Sequence, residues 1–483
     1  MMSYGQLLSG NRLRKSSVEN RGRSTEALSD KARIVTSAGF RRLQSKAQVF
    51  SLEENDGVRT RLTHTLEVSF YGELLAHQIT DRLIDLGRLP AEYKRAFVTT
   101  VENACLLHDI GNPPFGHLGE YAIRHWFDEN KNNIGAIWKC DGLDEEVVSK
   151  FLPGFMNFDG NAQAFRIVAR LQWLDDEFGL NLSCGLLASI IKYLGTRPSK
   201  AQMFGKKAGF FETDAILISS VWKMAGLKLD KGMPAQRSPL AYIMEAADDI
   251  AYCVSDIEDA LEKGIVSEDD FVNYINKSMP DSFKIKETKS QRSIGLSNSS
   301  VSKKSSKNSR FIKFKTGFTT KLVNAATDIY CHHEDEIRKG NFPQALLDYD
   351  DEAKDLSEIL KKFSRDYIYS SKEAINVELS GQRIIRSILD EFWPLIKMTT
   401  SDISRMYANS TKPLGGSEFA IEKRLYLLLP SKHKINYEHS VENDPKLEHI
   451  YRMHLLVDFL SGMTDSHAVK IFGMLNGSGV IGR

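Results

Sequence analysis

The stretch from Ala104 to Glu120 has the densest chemical content of the chain. His108 and Asp109 are adjacent there and follow an apolar run, whereas His117 and Glu120 are three positions apart. An ionised carboxylate at the end of a buried segment is costly unless a charged partner or a metal accompanies it. Imidazole together with carboxylate suits a divalent ion such as Mn, Fe, Co or Mg. His108 and Asp109 are therefore candidate metal ligands.

The second pair of this stretch has the residue types of an acid/base group. Residues 111–116 are rich in glycine and proline, which end a helix and form a turn. Such a turn can bring His117 back over a metal, and Glu120 can then hold its imidazole and raise its basicity. The alternative is a helix-capping His-Asp pair followed by an ordinary loop. Two further segments argue against that alternative.

The first of these segments is a predicted helix that begins near Arg59, with Thr60 or Thr63 as its cap. His64 lies in its first turn, where a histidine taken alone is more often a core residue than a ligand. Arg61 lies one turn away on the same side, and its planar guanidinium indicates an anionic substrate with phosphate oxygens. Helical spacing predicts a buried stripe on this helix of Leu66, Phe70, Leu74 and Ile79 or Leu83.

The second segment is a predicted helix over residues 239–262 with acids embedded in an apolar stripe. Asp248, Tyr252 and Asp256 are spaced at i, i+4 and i+8 and therefore share one face. Asp249 points about 100° away. Asp248 is the preferred ligand, Asp249 stays an alternative, and a solvated acidic cluster is the competing interpretation. The helix that must position His108 is predicted over residues 97–107.

Composition restricts the class of protein. The chain has 483 residues, a net charge of +1, 42% apolar and 26% charged residues, which is ordinary for a globular protein with a large core. Its five cysteines lack CxxC spacing, so reduced thiols in a cytoplasm are expected and not disulfides or a zinc site. No apolar run approaches the roughly 18 residues of a membrane span, and no signal-peptide core is apparent. A cytoplasmic protein without a membrane segment is predicted.

The chain divides into four predicted regions. Residues 1–50 form a basic segment that is either a solvated arm or faces an anion. Residues 51–283 form the core, and residues 284–315 form a flexible insertion rich in Lys and Ser, a solvated loop or a nucleic-acid contact. Residues 316–483 are predicted to be helical and to serve packing and oligomerisation, without a catalytic role.

Within the predicted core region, three shorter predictions concern the surroundings of the central stretch. Residues 128–159 are rich in Asn, Gly and charge and are predicted to form a loop or lid. Residues 182–194 are predicted to be an apolar helix that ends in Lys192 and Tyr193. A basic and aromatic loop then follows at 206–211.

The order His64, His108-Asp109, Asp248 resembles that of the HD superfamily of metal-dependent phosphohydrolases. The segments 59–64, 108–120 and 245–252 are more closely similar to the motifs of the deoxyguanosine triphosphate triphosphohydrolases (dGTPases). Further similarity lies in segments 40–49, 192–193 and 458–465. The resemblance implies an all-α fold, with an HD-domain helical core and additional peripheral and C-terminal helices. It also implies a homo-oligomer, commonly a hexamer.

The resemblance also implies roles for individual residues. One divalent metal per subunit (Mn, Mg, Co or Fe) would be held by His64, His108, Asp109 and Asp248. His117 would be the catalytic histidine, with Glu120 as its carboxylate partner. The substrate would be bound by Gln48, Val49, Arg61, Lys192, Tyr193, Lys207, Tyr252 and Asp256, with Lys206 as an alternative to Lys207.

The implied reaction is hydrolysis of dGTP or another dNTP to a deoxynucleoside and inorganic tripolyphosphate, which would control dNTP pools. His117 would protonate the leaving 5′-oxygen or take a more direct part in the attack. Competing interpretations are another HD phosphohydrolase, acting on a cyclic nucleotide, an alarmone or a nucleoside monophosphate, and a nucleic-acid-binding regulatory protein. Single-stranded DNA as an effector of an active enzyme is compatible with the basic segments.

Overall fold

The computed structural model describes residues 2–18, 21–53, 55–173, 176–200, 203–285, 308–408 and 418–478. These residues are mainly α-helical and contain one antiparallel pair of two-residue strands, β1 (Leu229–Asp230) and β2 (Met233–Pro234). The predicted all-α class is confirmed. No described helix combines the length and the apolar character that crossing a membrane requires.

The first half of the chain supplies helices α1 (Tyr4–Leu7), α2 (Arg23–Val35), α3 (Ala38–Arg42), α4 (Arg61–Asp85), α5 (Lys94–Leu107), α6 (Gly116–Cys140), α7 (Glu145–Met156), α8 (Gly160–Arg166), α9 (Cys184–Ser189), α10 (Ala215–Ala225), α11 (Pro239–Lys263) and α12 (Glu268–Ser278). The second half supplies α13 (Ser309–His332), α14 (Glu334–Lys339), α15 (Leu346–Tyr349), α16 (Asp351–Phe363), α17 (Lys372–Glu391), α18 (Trp393–Ile396), α19 (Thr400–Ala408), α20 (Ala420–Leu428), α21 (Ser431–Asn443), α22 (Glu448–Ser461) and α23 (Asp465–Leu475). Short 3₁₀ and π turns lie at Leu43–Ser45, Ala91–Tyr93, Ile167–Leu171, Glu212–Asp214, Asp281–Phe283, Ser364–Tyr369 and Pro445–Leu447.

Helices α4, α5 and α11 pack against one another and form the centre of the fold. Helix α4 begins with a reciprocal cap, in which the Thr60 side chain accepts from the Thr63 amide and the Thr63 side chain accepts from the Thr60 amide. Helix α11 starts with Pro239 in its first turn and is capped after Lys263 by Gly264, whose φ is +72°. All three helices were predicted; α4 and α11 carry candidate site residues, and His108 directly follows α5.

The predicted apolar stripe of α4 is wrong at two of its positions. Leu66 and Phe70 are 51% and 59% exposed. The buried face instead runs through His64, Val68 and Gly72, and α5 and α11 pack against α4. A Cβ atom at Gly72 would lie 2.4 Å from Cys105 Sγ, so this face is set by the close approach of two helices and not by the largest apolar side chains.

The predicted loop or lid at 128–159 is wrong. Helix α6 continues to Cys140, and α7 occupies Glu145–Met156. Trp138 and Phe155 are buried there, and together with other apolar residues they fix both helices in the core. The polar residues that favoured a loop are mostly on the exposed side of these two helices.

The predicted helix over 182–194 is correct only for its middle part, because α9 ends at Ser189. The chain then runs beside the segment around Gly209, whose amide donates to the Gly195 carbonyl at 2.8 Å. A Cβ at Gly209 would lie 1.8 Å from the Tyr193 carbonyl oxygen, so the two segments are in close backbone contact. This pairing takes Lys192 and Tyr193 out of a helix and brings both to a cavity.

The basic segment 1–50 is folded onto the core through α1 to α3, and part of its charge is neutralised internally. Arg12 is 5% exposed and lies 2.6 Å from both Glu26 Oε2 and Asp30 Oδ1. Most of the insertion predicted at 284–315, namely 286–307, lies outside the described residues. The boundaries of the four regions stay a prediction.

Two apolar cores lie on either side of the central stretch. Helices α4, α5, α11 and α13 build the first core, whereas α6, α7, α17 and α22 build the second. Ile110 belongs to the first core and Phe115 to the second. The turn with the candidate catalytic residues therefore connects the two cores, and its geometry depends on both.

Candidate functional site

The central stretch folds as helix, turn and helix. His108 lies at the end of α5, and Phe115 and Gly116 have φ angles of +62° and +57°. A positive φ is uncommon for a residue with a bulky side chain and marks a constrained turn. Helix α6 begins at Gly116, so that His117 and Glu120 fall in its first turns.

Glycine allows this turn to pack against α8. A Cβ atom at Gly111 would lie 2.0 Å from the Gly160 carbonyl oxygen and 2.2 Å from the Ala164 amide nitrogen. Both are backbone atoms that cannot rotate away. Position 111, two residues after Asp109, therefore requires a residue without a side chain.

Gly111→Ala is expected to destabilise the protein by about 3 kcal/mol, the upper range for overpacking a core, and to lower activity. The clash must separate the turn from α8 and displace the neighbouring ligands. Thermal unfolding followed by circular dichroism measures the loss. Gly135→Ala on α6 is the matched control, because its Cβ meets only Val148 at 3.5 Å and alanine favours a helix. An unchanged melting temperature for Gly111→Ala would contradict this packing.

A cluster of candidate metal ligands forms where α4, α5 and α11 meet. One donor atom each of His64, His108 and Asp248 lies within 4.8 Å of the others. Asp248 Oδ1 is 3.6 Å from His64 Nε2 and 3.5 Å from His108 Nε2. Asp109 Oδ1 lies 3.6 Å from His108 Nε2, at the edge of this cluster. Three of the four predicted ligands are thus brought together, and Asp109 lies beside them.

The chemical state of His108 fits a divalent ion. His108 Nδ1 lies 2.7 Å from the Cys105 carbonyl, to which it donates, so Nε2 carries the lone pair. That buried Nε2 has no hydrogen-bond partner among the described residues, which is costly unless a ligand binds it. Burial lowers the pKa of His108, so the ring is neutral, as a ligand must be.

The two acids of the cluster are ionised. Burial alone would raise the pKa of Asp109, but the charge of Arg61 holds it well below its ordinary value. The pKa of Asp248 is likewise lowered against the effect of burial, mainly by the charge of Lys192. Two imidazoles and two carboxylates form a donor set suited to Mn, Fe, Co or Mg.

The geometry favours Asp248 over Asp249 as the ligand. Asp248 Oδ2 accepts from Lys192 Nζ at 2.7 Å, which leaves Oδ1 towards the two imidazoles. Asp249 lies outside the cluster, with its Oδ1 3.9 Å from Lys361 Nζ. Burial raises the pKa of Asp249 to about 7, whereas the pKa of Asp248 is lowered.

His117 and Glu120 form a contact at the mouth of the site. The distance from His117 Nδ1 to Glu120 Oε2 is 3.2 Å, and the imidazole is 74% exposed. Glu120 is buried, and its Oε1 accepts from the Gly160 amide at 2.7 Å. Burial would raise the pKa of Glu120, but the hydrogen bond from His117 and its charge lower it. An ionised, fixed carboxylate therefore orients an exposed imidazole that can exchange protons with a ligand.

Basic side chains surround the acids. Arg61 pairs with Asp109, and Lys192 pairs with Asp248. The amino group of Lys207 lies 3.2 Å from Asp159 Oδ2. These cations are held in place before any ligand arrives, and together they suit a polyanion such as a phosphate chain.

A phenol network closes another side of the site. The Tyr252 hydroxyl is hydrogen-bonded to the Tyr369 hydroxyl, which in turn donates to Asp256 Oδ2. Tyr369 ends the π-turn Ser364–Tyr369, and such turns are frequent at functional sites. Sequence reasoning expected no site residue after position 316, so Tyr369 was missed, as was Lys361.

All candidate site residues named from the sequence line one cavity of about 670 Å³, a volume typical of a small-molecule site. Gln48, Val49 and Tyr193 belong to its lining, and the alternatives Lys206 and Asp249 do so too. The Gln48 side-chain oxygen is buried without a partner among the described residues. Asn112 and Asn161 are further lining residues that sequence reasoning did not single out.

Comparison with known proteins agrees with this geometry. Residues 61–147 match the family model described as HD domain. The chain is 35% identical to the deoxyguanosinetriphosphate triphosphohydrolase-like proteins of Listeria monocytogenes and Listeria innocua, over 99% of this chain and 100% of each relative. It is 34% identical to the deoxyguanosinetriphosphate triphosphohydrolase of Yersinia enterocolitica, over 91% of both chains.

Proposed function

This chain belongs to the deoxyguanosinetriphosphate triphosphohydrolase family, and we propose that it hydrolyses dGTP to deoxyguanosine and inorganic tripolyphosphate. Other dNTPs are proposed as further substrates, and control of dNTP pools as the consequence. One observation carries the proposal. The metal-ligand cluster, the His117–Glu120 pair and three basic side chains line the same cavity.

The charge of the cavity supports a triphosphate substrate. At neutral pH the substrate carries roughly four negative charges, and fixed cations stabilise such charge best in a site that excludes water. Arg61, Lys192 and Lys207 supply the cations, and each is oriented by a carboxylate. Arg61 has the planar fork that binds two phosphate oxygens at once.

The buried Nε2 of His108 and the ionised acids beside it fit a divalent ion, which His64, His108, Asp109 and Asp248 would hold. When bound, such an ion supplies Lewis-acid chemistry to a phosphate oxygen.

The scissile bond joins the sugar 5′-oxygen to the α-phosphorus. Water adds to phosphorus, its oxygen leaves in tripolyphosphate, and the 5′-oxygen must gain a proton because an alkoxide is a poor leaving group. His117 is the proposed donor of that proton. Its Nδ1 contacts Glu120, so Nε2 is the nitrogen that remains for the substrate.

The phenol network supports selection of a deoxyribose. We assign the sugar to the side of Tyr252, whose hydroxyl already bonds to Tyr369. Burial raises the pKa of Tyr252, which keeps its phenol neutral. A 2′-hydroxyl would meet groups whose hydrogen bonds are already made, and an unpaired polar group in a closed site is costly.

Purified protein supplied with Mn²⁺ and each dNTP separately tests the proposal, with GTP as the ribose control. Chromatography of the products is expected to show deoxyguanosine and intact tripolyphosphate in equal amounts, with GTP a poor substrate. Release of orthophosphate or pyrophosphate would contradict it. Hydrolysis of a cyclic nucleotide, an alarmone or a nucleoside monophosphate in place of dGTP would favour another HD phosphohydrolase.

The remaining properties stay predictions from the sequence and its resemblance. They are the identity of the divalent ion, a hexameric assembly, a cytoplasmic location and single-stranded DNA as an effector. The basic segment 1–50 and the Lys-rich insertion support the DNA effector, although Arg12 is neutralised inside the fold. A gel shift measured at several salt concentrations tests it.

A further inference from the structure

We propose that Asp465 is a positioning residue that holds the base-facing segment and the catalytic turn in one fixed arrangement. Its Oδ2 accepts from the Ala47 amide at 3.0 Å, and its Oδ1 accepts from the Phe115 amide at 3.1 Å. Asp465 is 3% exposed. The role rests on the proposed function, because Gln48 and Val49 follow Ala47 and His117 lies two positions after Phe115.

The Phe115 end of this contact is where the backbone needs support. Phe115 has a φ of +62°, a conformation that an aromatic residue keeps only when its surroundings hold it. It precedes α6, and no side chain of the helix start caps that end. The Asp465 carboxylate accepts from the buried amide there, and a hydrogen bond to an ionised acceptor is stronger than one to a neutral acceptor.

Ala47, the other residue that Asp465 contacts, is paired with the start of α4, the helix that carries His64. Ala47 forms an isolated antiparallel bridge with Thr60, the cap of α4. The Arg61 amide donates to the Lys46 carbonyl at 2.9 Å. The same carboxylate therefore connects the start of α4, the segment leading to Gln48 and the start of α6.

A second contact from the same C-terminal segment acts in parallel. Lys46 is 3% exposed, and its Nζ donates to the Asn112 carbonyl at 2.6 Å and to the Ser461 carbonyl at 2.8 Å. The Asn112 side chain donates in turn to Asp109 Oδ1 at 2.6 Å. Residues 461–465 are thus connected to both ends of the turn between the metal ligands and His117, directly at Phe115 and through Lys46 at Asn112.

The two contacts of Asp465 are expected to affect both the rate of hydrolysis and the selectivity for the base. Two oxygens of one small, buried group hold two segments, so a shift of either segment displaces the other. A displacement of about 1 Å at a reacting centre can cost about 100-fold in rate. Asp465 lies far along the chain from every other candidate site residue. Through its two hydrogen bonds, the C-terminal region takes part in the site without contacting the substrate.

Asp465→Asn tests the role, because the amide keeps one carbonyl acceptor but turns an NH₂ group towards the second backbone amide. We expect kcat for dGTP to fall by about 10- to 100-fold. We also expect the differences in kcat/KM among the four dNTPs to become smaller, because the base-facing segment is displaced. Amide hydrogen exchange is expected to accelerate in segments 44–50 and 113–118. Asp465→Glu keeps the charge and both acceptor oxygens, so its kcat and exchange rates are expected to lie between those of the wild type and Asp465→Asn. It replaces Asp465→Asn as the test if the asparagine variant does not fold.

Thr464→Ala is the matched control. The Thr464 side chain caps α23 through the His467 amide, so this variant weakens the same helix without touching Ala47 or Phe115. It is expected to lower the melting temperature while kcat, selectivity and exchange in both segments stay unchanged. If Asp465→Asn likewise lowers only the melting temperature and leaves kcat, selectivity and exchange unchanged, Asp465 has a purely structural role and the proposal is overturned. Wild-type protein that releases no tripolyphosphate contradicts the proposed function alone, since the exchange measurement needs no turnover.

Discussion

Replacing His117 with alanine is expected to lower dGTP turnover by about 100-fold or more, the range for loss of a general acid, while metal and nucleotide binding persist. The imidazole lies outside the ligand cluster of His64, His108 and Asp248. It is largely exposed, and its Nδ1 contacts Glu120 Oε2 at 3.2 Å. Removing it leaves no buried cavity, and the buried Glu120 carboxylate keeps the Gly160 amide at 2.7 Å and the Arg124 guanidinium at 3.7 Å, so the main loss falls on the chemical step.

The measurement for His117→Ala is single-turnover hydrolysis, with metal content and nucleotide affinity determined on the same preparation. His125→Ala is a matched control, because His125 is also on α6, is partly exposed and pairs with Glu129 at 3.3 Å. The control is expected to keep wild-type turnover. Turnover of His117→Ala within a few-fold of wild type would refute its role as the acid.

The metal-ligand half of the site could be predicted from the sequence because its geometry is local. His108 and Asp109 are adjacent, and one turn of α6 brings His117 and Glu120 into contact. Helical periodicity likewise identifies the helix of Asp248 and the face that it shares with Tyr252. Only the assembly of these pieces from three helices required the resemblance to a known family.

The other half depends on contacts that no local pattern encodes. Tyr369 reaches Asp256 across 113 positions, and Asp465 reaches Phe115 across 350. Periodicity also failed to give the buried face of α4, because an apolar stripe with Leu66 and Phe70 has the same spacing as the true face. Composition misled at 128–159, where polar residues cover the outside of two packed helices.

Asp248→Ala is expected to abolish metal binding, and with it turnover. Asp248 Oδ1 faces both imidazoles, so its loss removes an ionised ligand from the centre of the cluster. It also leaves the ammonium group of Lys192 buried without its partner, close to where a cation must bind. Loss of an outer partner already costs about 10- to 100-fold in metal affinity, so the loss of this ligand should exceed about 100-fold.

Asp249→Ala is the matched control, since Asp249 is the next residue of α11 and is also an acid lining the cavity. Its carboxyl group lies near Lys361 and outside the cluster, so metal content should stay at the wild-type level. Elemental analysis after dialysis against Mn²⁺ measures both variants, and circular dichroism establishes that both are folded. Metal retained by Asp248→Ala and lost by Asp249→Ala would reverse the assignment. Because the two carboxyl groups are neighbours on one helix but differ in direction and in ionisation, that comparison tests whether the metal site requires Asp248 itself and not merely an acid on this part of α11.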